Sequence, residues 1–289
     1  MSTTGVNESR TEVLHDLEGL RERLAEWRRG GETIGLVPTM GALHAGHMSL
    51  VKVAKRHARR VVLWIFVNPT QFGPGEDFGA YPRTLEADVA KFAAAKGDLV
   101  FAPDASQIYP PGFATMLSMS GPATAGLEDR FRPAHFAGVA TIVAKLFNLC
   151  RPDVAIFGEK DYQQLKVVER MVRDLNFETK ILAAPTMRES DGLALSSRNI
   201  YLSAAERDIA PSLHAALKRC ANDIQQGMAI DGALEAARMA LAAQGFAIDY
   251  LEARHAETLA PLASRDDGPV RLLAAAKLGT TRLIDNLAV

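Results

Sequence analysis

Thr33-Ile-Gly-Leu-Val37, then Pro38-Thr-Met-Gly-Ala-Leu-His-Ala-Gly-His47, then a helical stretch and Val61-Val-Leu-Trp-Ile-Phe-Val67 is the passage on which the fold turns. The first and last pieces are continuously apolar and of strand length, without the in-out alternation of a sheet that has one wet face. Between them Leu50, Val53, Ala54 and His57 recur at helical spacing. A buried strand, a crossover helix and a second buried strand imply a parallel pair covered on both faces. Pro38 is expected to interrupt the first strand.

The same rhythm runs outward from this unit. Val13, Leu14, Leu17, Leu20, Leu24 and Trp27 predict a helix that ends at Gly30-Gly31, preceded by a loose tail over residues 1–10. Asp98 to Ala102, Val154 to Phe157 and Thr179 to Ala183 read as further strands. Helices are expected from Thr84, as cap, to Lys96, over Ala137 to Leu149, and over Leu165 to Leu175. Residues 1–185 thus read as a doubly wound parallel sheet of nucleotide-binding type. Beyond about residue 185 the pattern changes. Ser203-Ala-Ala-Glu206 is a capping box, Pro211 should kink or restart its helix, and a second helix covers about 231–243. Ala247 to Ala253, Val270 to Lys277 and Thr280 to Leu287 read as strands, so residues 186–289 are expected to form a smaller C-terminal α+β domain.

Composition excludes several classes. The chain has 289 residues, 48% hydrophobic and 23% charged, with a formal net charge of -1. No average basic footprint for nucleic acid exists. No run approaches the ~18 apolar residues of a membrane span, and Met1 to Arg10 lacks a signal-type apolar core. Cys150 and Cys220 stand far apart with no CxxC pair, which suits a reducing, cytoplasmic setting and buried structural thiols.

Three segments carry chemistry. His44 and His47 sit where the first strand meets its helix, at the carboxyl edge of the sheet, where a helix N-terminus offers N–H groups to phosphate. Gly46 lets a ligand approach the backbone. No Walker lysine and no GxGxxG follows, and no further ligand residue stands at zinc spacing. Gly158-Glu-Lys-Asp-Tyr-Gln-Gln164 directly follows another strand, so Lys160 can meet phosphate, Asp161 a ribose or the lysine, and Gln164 a substrate hydroxyl or carboxylate. Leu195-Ser-Ser-Arg-Asn199 supplies two hydroxyls and a guanidinium. Each of the last two, alone, also fits a solvated polar turn.

The order Pro-Thr-Met-Gly-Ala-Leu-His-x-Gly-His, Val67-Asn-Pro-x-Gln-Phe72, Tyr81-Pro-Arg-Thr84, Arg132-Pro-x-His-Phe136, Gly158-Glu-Lys-Asp161 and Ser196-Ser-Arg-Asn199 resembles the pantothenate synthetases, within the HxGH nucleotidyltransferases. The resemblance implies a Rossmann-like domain, a C-terminal domain that closes over it, and a homodimer. It also implies ATP with Mg²⁺, and condensation of pantoate with β-alanine through a pantoyl-adenylate, releasing AMP and pyrophosphate. By it, Met40, Gly41, Ala42, Leu43, His44, Ala45, Gly46, His47, Gly158, Glu159, Lys160 and Asp161 contact ATP. Met187 would touch adenine, and Leu195, Ser196, Ser197 and Arg198 would form a second phosphate strip. Gln71 and Gln164 would hold pantoate, with Gln71 also beside β-alanine; His47, His44, Lys160 and Arg198 would be catalytic. Protein ligands to the metal are not assigned. Leu195, Ala134 and Met187 stand where the family usually has Met, Gly and often Val; Ala134 would matter only if its φ were positive.

Arg132 and His135 are candidates to line the acid pocket, and His135 equally fits a hydrogen-bonded structural histidine. The Gly73–Pro82 loop is a candidate lid over a water-sensitive acyl-phosphate. Two rival readings are an adenylyltransferase acting on a phosphate and an ATP-binding regulator without catalysis. The Gln71 and Gln164 pair argues against the first, and intact His44, His47, Lys160 and Arg198 argue against the second.

Overall fold

Along one central strand, Val61 and Leu63 enter one apolar core while Val62 and Trp64 enter another. A strand buried on both faces has no position for a polar residue, which is why its sequence is an unbroken apolar run. Val100 against Leu99 and Phe101, and Ile156 against Ala155 and Phe157, divide in the same way.

The computed structural model describes residues 11–289; the expected tail over residues 1–10 lies outside the described residues. Strands β1 (Glu12–Leu14), β2 (Ile34–Thr39), β3 (Arg60–Ile65), β4 (Leu99–Phe101), β5 (Val154–Gly158) and β6 (Lys180–Ala184) form one sheet in the order β1-β4-β3-β2-β5-β6. Every pairing in it is parallel. Helices α1 (Leu17–Arg29), α2 (Ala45–His57), α3 (Leu85–Ala94), the short α4 (Ala105–Ile108) and α5 (Glu128–Phe131), α6 (His135–Cys150) and α7 (Tyr162–Asp174) accompany it. Residues of α2 and α3 fill one core, and those of α1, α6 and α7 the other. The doubly wound reading therefore holds. The chain runs outward from β2 through β3 to β4, then returns to β5 on β2's other side. That places the topological switch between β2 and β5, where a ligand cleft opens at the carboxyl ends of the strands.

After β6 come α8 (Ala204–Ile209), α9 (Ser212–Gln225) and α10 (Ile230–Ala243), then an antiparallel sheet of β7 (Ala247–His255), β8 (Val270–Leu278) and β9 (Thr281–Ala288). Its own core joins Leu213, Leu217, Leu234 and Leu241 to Leu251, Leu272 and Ala274. This is the smaller α+β part. The Ser203–Glu206 capping box is formed, and the helix restarts as α9 directly after Pro211. Among the described residues no helix is long and apolar enough to cross a membrane.

Local readings differ at three points. Val13 and Leu14 lie not in a helix but in the edge strand β1, in register with Val100 and Phe101; Asp16 then caps α1. Pro38 does not break β2, which runs on to Thr39 beside β3. Alternate residues of a parallel strand face alternate neighbours, and β5 pairs with β2 only at Gly35 and Leu36, so the missing N–H of Pro38 points past the end of that ladder. Helix α2 begins at Ala45, at the corner where a helix start was expected, so the second histidine lies inside its first turn. Thr84 makes no side-chain cap; its hydroxyl donates to Asp88 instead.

Candidate active site

The two histidines form the N-terminal cap of α2. The Gly46 N–H donates to His44 Nδ1 at 3.1 Å, and the His44 N–H donates to His47 Nδ1 at 3.3 Å. Both Nδ1 atoms therefore act as acceptors, the proton of each neutral ring is on Nε2, and each ring offers one N–H donor away from the backbone. The rings lie 4.1 Å apart. A Cβ on Gly46 would stand 2.8 Å from the His44 ring, so a glycine there is needed by the histidine cap itself, whatever else approaches it.

Burial, aided by Lys160 and Lys91, holds His44 down at about 4. Burial, then His44, Lys160 and Lys91, holds His47 at about 3. Both imidazoles are thus neutral donors at neutral pH.

A cavity of about 230 Å³ is lined by His44, Gly46 and His47 from the β2–α2 corner, and by Gly158, Lys160, Asp161 and Gln164 from the end of β5 and the start of α7. Met40, Gln71, Met187, Leu195, Ser196, Ser197 and Arg198 also line it. The segments that the sequence left far apart therefore meet at the switch point. Gly41, Ala42, Leu43, Ala45 and Glu159 do not line the cavity. Gly41 to Leu43 form a turn held from behind: the Ala42 and Leu43 N–H groups donate to Asp88, which is fully buried. Glu159 turns away to Arg271.

Several lining residues carried little signal in the sequence. Val139, Ile142, Val143 and Leu146 of α6 form an apolar wall; within a helix buried nearly all round, nothing marks which residues face a ligand. Asn68, almost wholly buried, donates to Gln71 Oε1 and accepts from Tyr109 and Thr70, fixing the turn that carries Gln71. The Tyr81 hydroxyl meets Ser197 Oγ at 3.1 Å. Asn68 and Tyr81 fall within quoted motifs; the four α6 residues do not.

Arg132 and His135 also line the cavity. His135 is buried, its Nδ1 2.8 Å from the Gln71 carbonyl, and burial with Arg132 beside it keeps it down at about 4. Arg132 holds Glu76 at two points, 2.8 and 2.7 Å. Ala134 has φ of -91°, so no glycine is required there. Cys150 and Cys220 are both buried, and burial raises their thiols to about 12 and 11, which removes them as nucleophiles. Among the described residues no group of three or more His, Cys, Asp or Glu could hold a metal ion. Those residues offer Mg²⁺ no cage of their own.

A second cavity, of about 470 Å³, shares Lys160, Asp161, Gln164, Ser196 and Arg198 with the first and extends to Lys277, Arg282 and Asn286 of the antiparallel sheet. The cleft therefore runs from the parallel sheet to the C-terminal sheet.

A family model described as Pantoate-beta-alanine ligase matches residues 12–288. The chain is 59% identical over 277 residues to the pantothenate synthetase of Rhodopseudomonas palustris strain HaA2, covering 96% of this chain and 98% of that protein. It is 58% identical to that of Bradyrhizobium sp. strain BTAi1, again over 96% and 98%. Among solved structures, pantothenate synthetase from Thermus thermophilus superimposes with a TM-score of 0.91 at 49% identity, covering 96% of this chain and 99% of that one. The pantoate-beta-alanine ligase of Francisella tularensis, solved with beta-gamma ATP and beta-alanine, gives 0.81 at 32% identity over 96% and 97%. With a match along nearly its whole described length, the chain belongs to the pantoate-beta-alanine ligase family.

Proposed function

We propose that the family's reaction, the ATP-driven joining of pantoate to β-alanine, runs on this chain through a pantoyl-adenylate formed between the His44–His47 corner and Lys160. One observation carries this reading: His44, His47, Lys160 and Arg198 arrive from three distant segments to line one cavity.

Pantoate has a carboxylate, two hydroxyls and a pair of methyl groups. The apolar wall of Val139, Ile142, Val143 and Leu146 suits the methyls, and Gln71 and Gln164 suit the oxygens. The triphosphate would meet the Nε2–H groups of His44 and His47, the Lys160 ammonium, Ser196, Ser197 and Arg198, with adenine beside the Met187 backbone. Mg²⁺ would enter with the triphosphate, neutralising its charge; no step depends on protein ligands to it.

In the first half-reaction a pantoate carboxylate oxygen bonds to the α-phosphorus and the bond to pyrophosphate breaks. Two anions must meet, so neutralisation and alignment dominate the barrier. The four donors offset the charge that grows on the leaving oxygens, and loss of one should cost about 3–4 kcal/mol, a hundredfold or more in rate. In the second, the free amine of β-alanine attacks the acyl carbon, AMP leaves, and the amine gives up a proton. No enzyme nucleophile is required. In this reading residues 186–289 close over residues 1–185, and the chain works as a homodimer, which light scattering tests.

Mass spectrometry of a pantoate, ATP and Mg²⁺ incubation should detect the pantoyl-adenylate. His47→Ala and Lys160→Ala should fold normally yet form little of it; yields equal to the unaltered chain would overturn the assignment.

A further inference from the structure

Two neighbouring residues of β9, Asp285 and Asn286, are buried polar side chains at 4% and 3% exposure, and each reaches out of its own sheet to a different segment of the nucleotide site. The Asn286 amide nitrogen donates to the carbonyls of Glu159 and Lys160, both at 2.9 Å. Its amide oxygen accepts from Nε and Nη2 of Arg271. A guanidinium can only donate, so the orientation of this amide is fixed: oxygen to Arg271, both N–H groups to the turn that carries Lys160. Arg271 also holds the Glu159 carboxylate, at 3.2 Å, and lies over the Tyr162 ring at 4.1 Å. Asp285 meanwhile grips Arg188 at two points, 2.7 and 2.8 Å, next to Met187.

Every hydrogen-bonding group of the Asn286 amide is thereby used, in a buried place where an unmet one costs heavily. The Glu159–Asp161 turn itself has no side-chain cap. We infer that Asn286 is a positioning residue for the adenylation step: from the C-terminal sheet it sets where the Lys160 ammonium stands. The first half-reaction then depends on a strand more than a hundred residues away in sequence. The inference rests on the role proposed for Lys160.

The test combines Asn286→Ala, Asn286→Asp and Lys160→Ala in single-turnover measurements of pyrophosphate release from ATP and pantoate. Alanine removes both donors; aspartate sets an acceptor against two carbonyl oxygens. A displacement of Lys160 by about 1 Å should slow adenylation on the order of a hundredfold. Because Asn286 acts through Lys160, the same substitution should add little once Lys160 is alanine, whereas a merely structural role would cost the same factor in both backgrounds. An unchanged rate in whichever Asn286 variant folds, or equal factors with and without Lys160, overturns the inference. If Lys160→Ala alone retains full rate, the assignment of Lys160 falls and the inference falls with it; if Lys160→Ala is slow and Asn286→Ala adds its full cost, only the inference falls.

Discussion

Arg198 and Asp77 are joined at two points, Nε to Oδ2 at 2.9 Å and Nη2 to Oδ1 at 2.7 Å, across 121 residues of sequence. Asp77 belongs to the Gly73–Pro82 loop, and its neighbour Glu76 holds Arg132 in the same two-point manner. Two acids of one loop thus sit on two arginines that line the cavities, where the anionic groups of substrates would go.

A triphosphate that uses Arg198 must displace Asp77. Asp77→Asn should therefore lower the KM for ATP, by about fivefold for a partly exposed pair worth ~1 kcal/mol. Steady-state kinetics at fixed pantoate measures it. A KM that stays constant or rises would show that Asp77 does not compete for the arginine. A lid role for this loop requires that ATP plus pantoate protect residues 73–82 from limited proteolysis; unchanged cleavage removes it.

Gly46→Ala separates stability from activity. The backbone there is helical and accepts alanine, but the new Cβ meets the His44 ring at 2.8 Å. The ring must swing out of its cap. Thermal stability should stay within about 1 kcal/mol, while kcat falls by roughly tenfold or more. Full activity in this variant would mean that the His44 position is unimportant.

Gly138→Ala tests the Gln71 turn. Its Cβ would lie 2.2 Å from the Thr70 carbonyl oxygen and 2.7 Å from the Gln71 nitrogen, both backbone atoms that cannot rotate aside. The turn must move, costing about 1–3 kcal/mol and raising the KM for pantoate. Denaturant midpoints and pantoate titrations check both effects, and an unchanged pair contradicts the assigned packing.

Acid should act partly through three imidazoles. His44, His47 and His135 lie at about 4, 3 and 4 when folded, below the ordinary 6.5. Between those values the unfolded chain binds protons that the folded chain refuses. Their contribution is intact above about pH 6.5 and declines as pH falls toward 4. Urea midpoints from about pH 7.5 to 4.5 should show this decline, and His47→Gln should flatten it. Equal slopes in the two proteins would mean that His47 is not held neutral by the fold.

The sequence by itself determined the class of fold, because a strand buried on both faces leaves an unbroken apolar run, as in Val61 to Val67, and a helix leaves a period of about 3.6 residues. It also singled out His44 and His47, polar groups at the carboxyl end of such a strand with no core to serve, whereas Lys160 and Arg198, in stretches that alone also fit solvated turns, were marked only by the ordered motifs of the family resemblance. It misread Val13 and Leu14, whose spacing suits the following helix while their backbone pairs with β4, a partner far along the chain. Pro38 was misread for a similar reason: whether its missing N–H matters depends on how far β5 runs alongside β2. Only the tertiary structure decided that three distant segments share one cavity, that α6 supplies its apolar wall, and that Asn286 holds the turn bearing Lys160. Each is a contact between residues remote in the chain, and local propensity and periodicity carry no term for a partner that folding alone brings near.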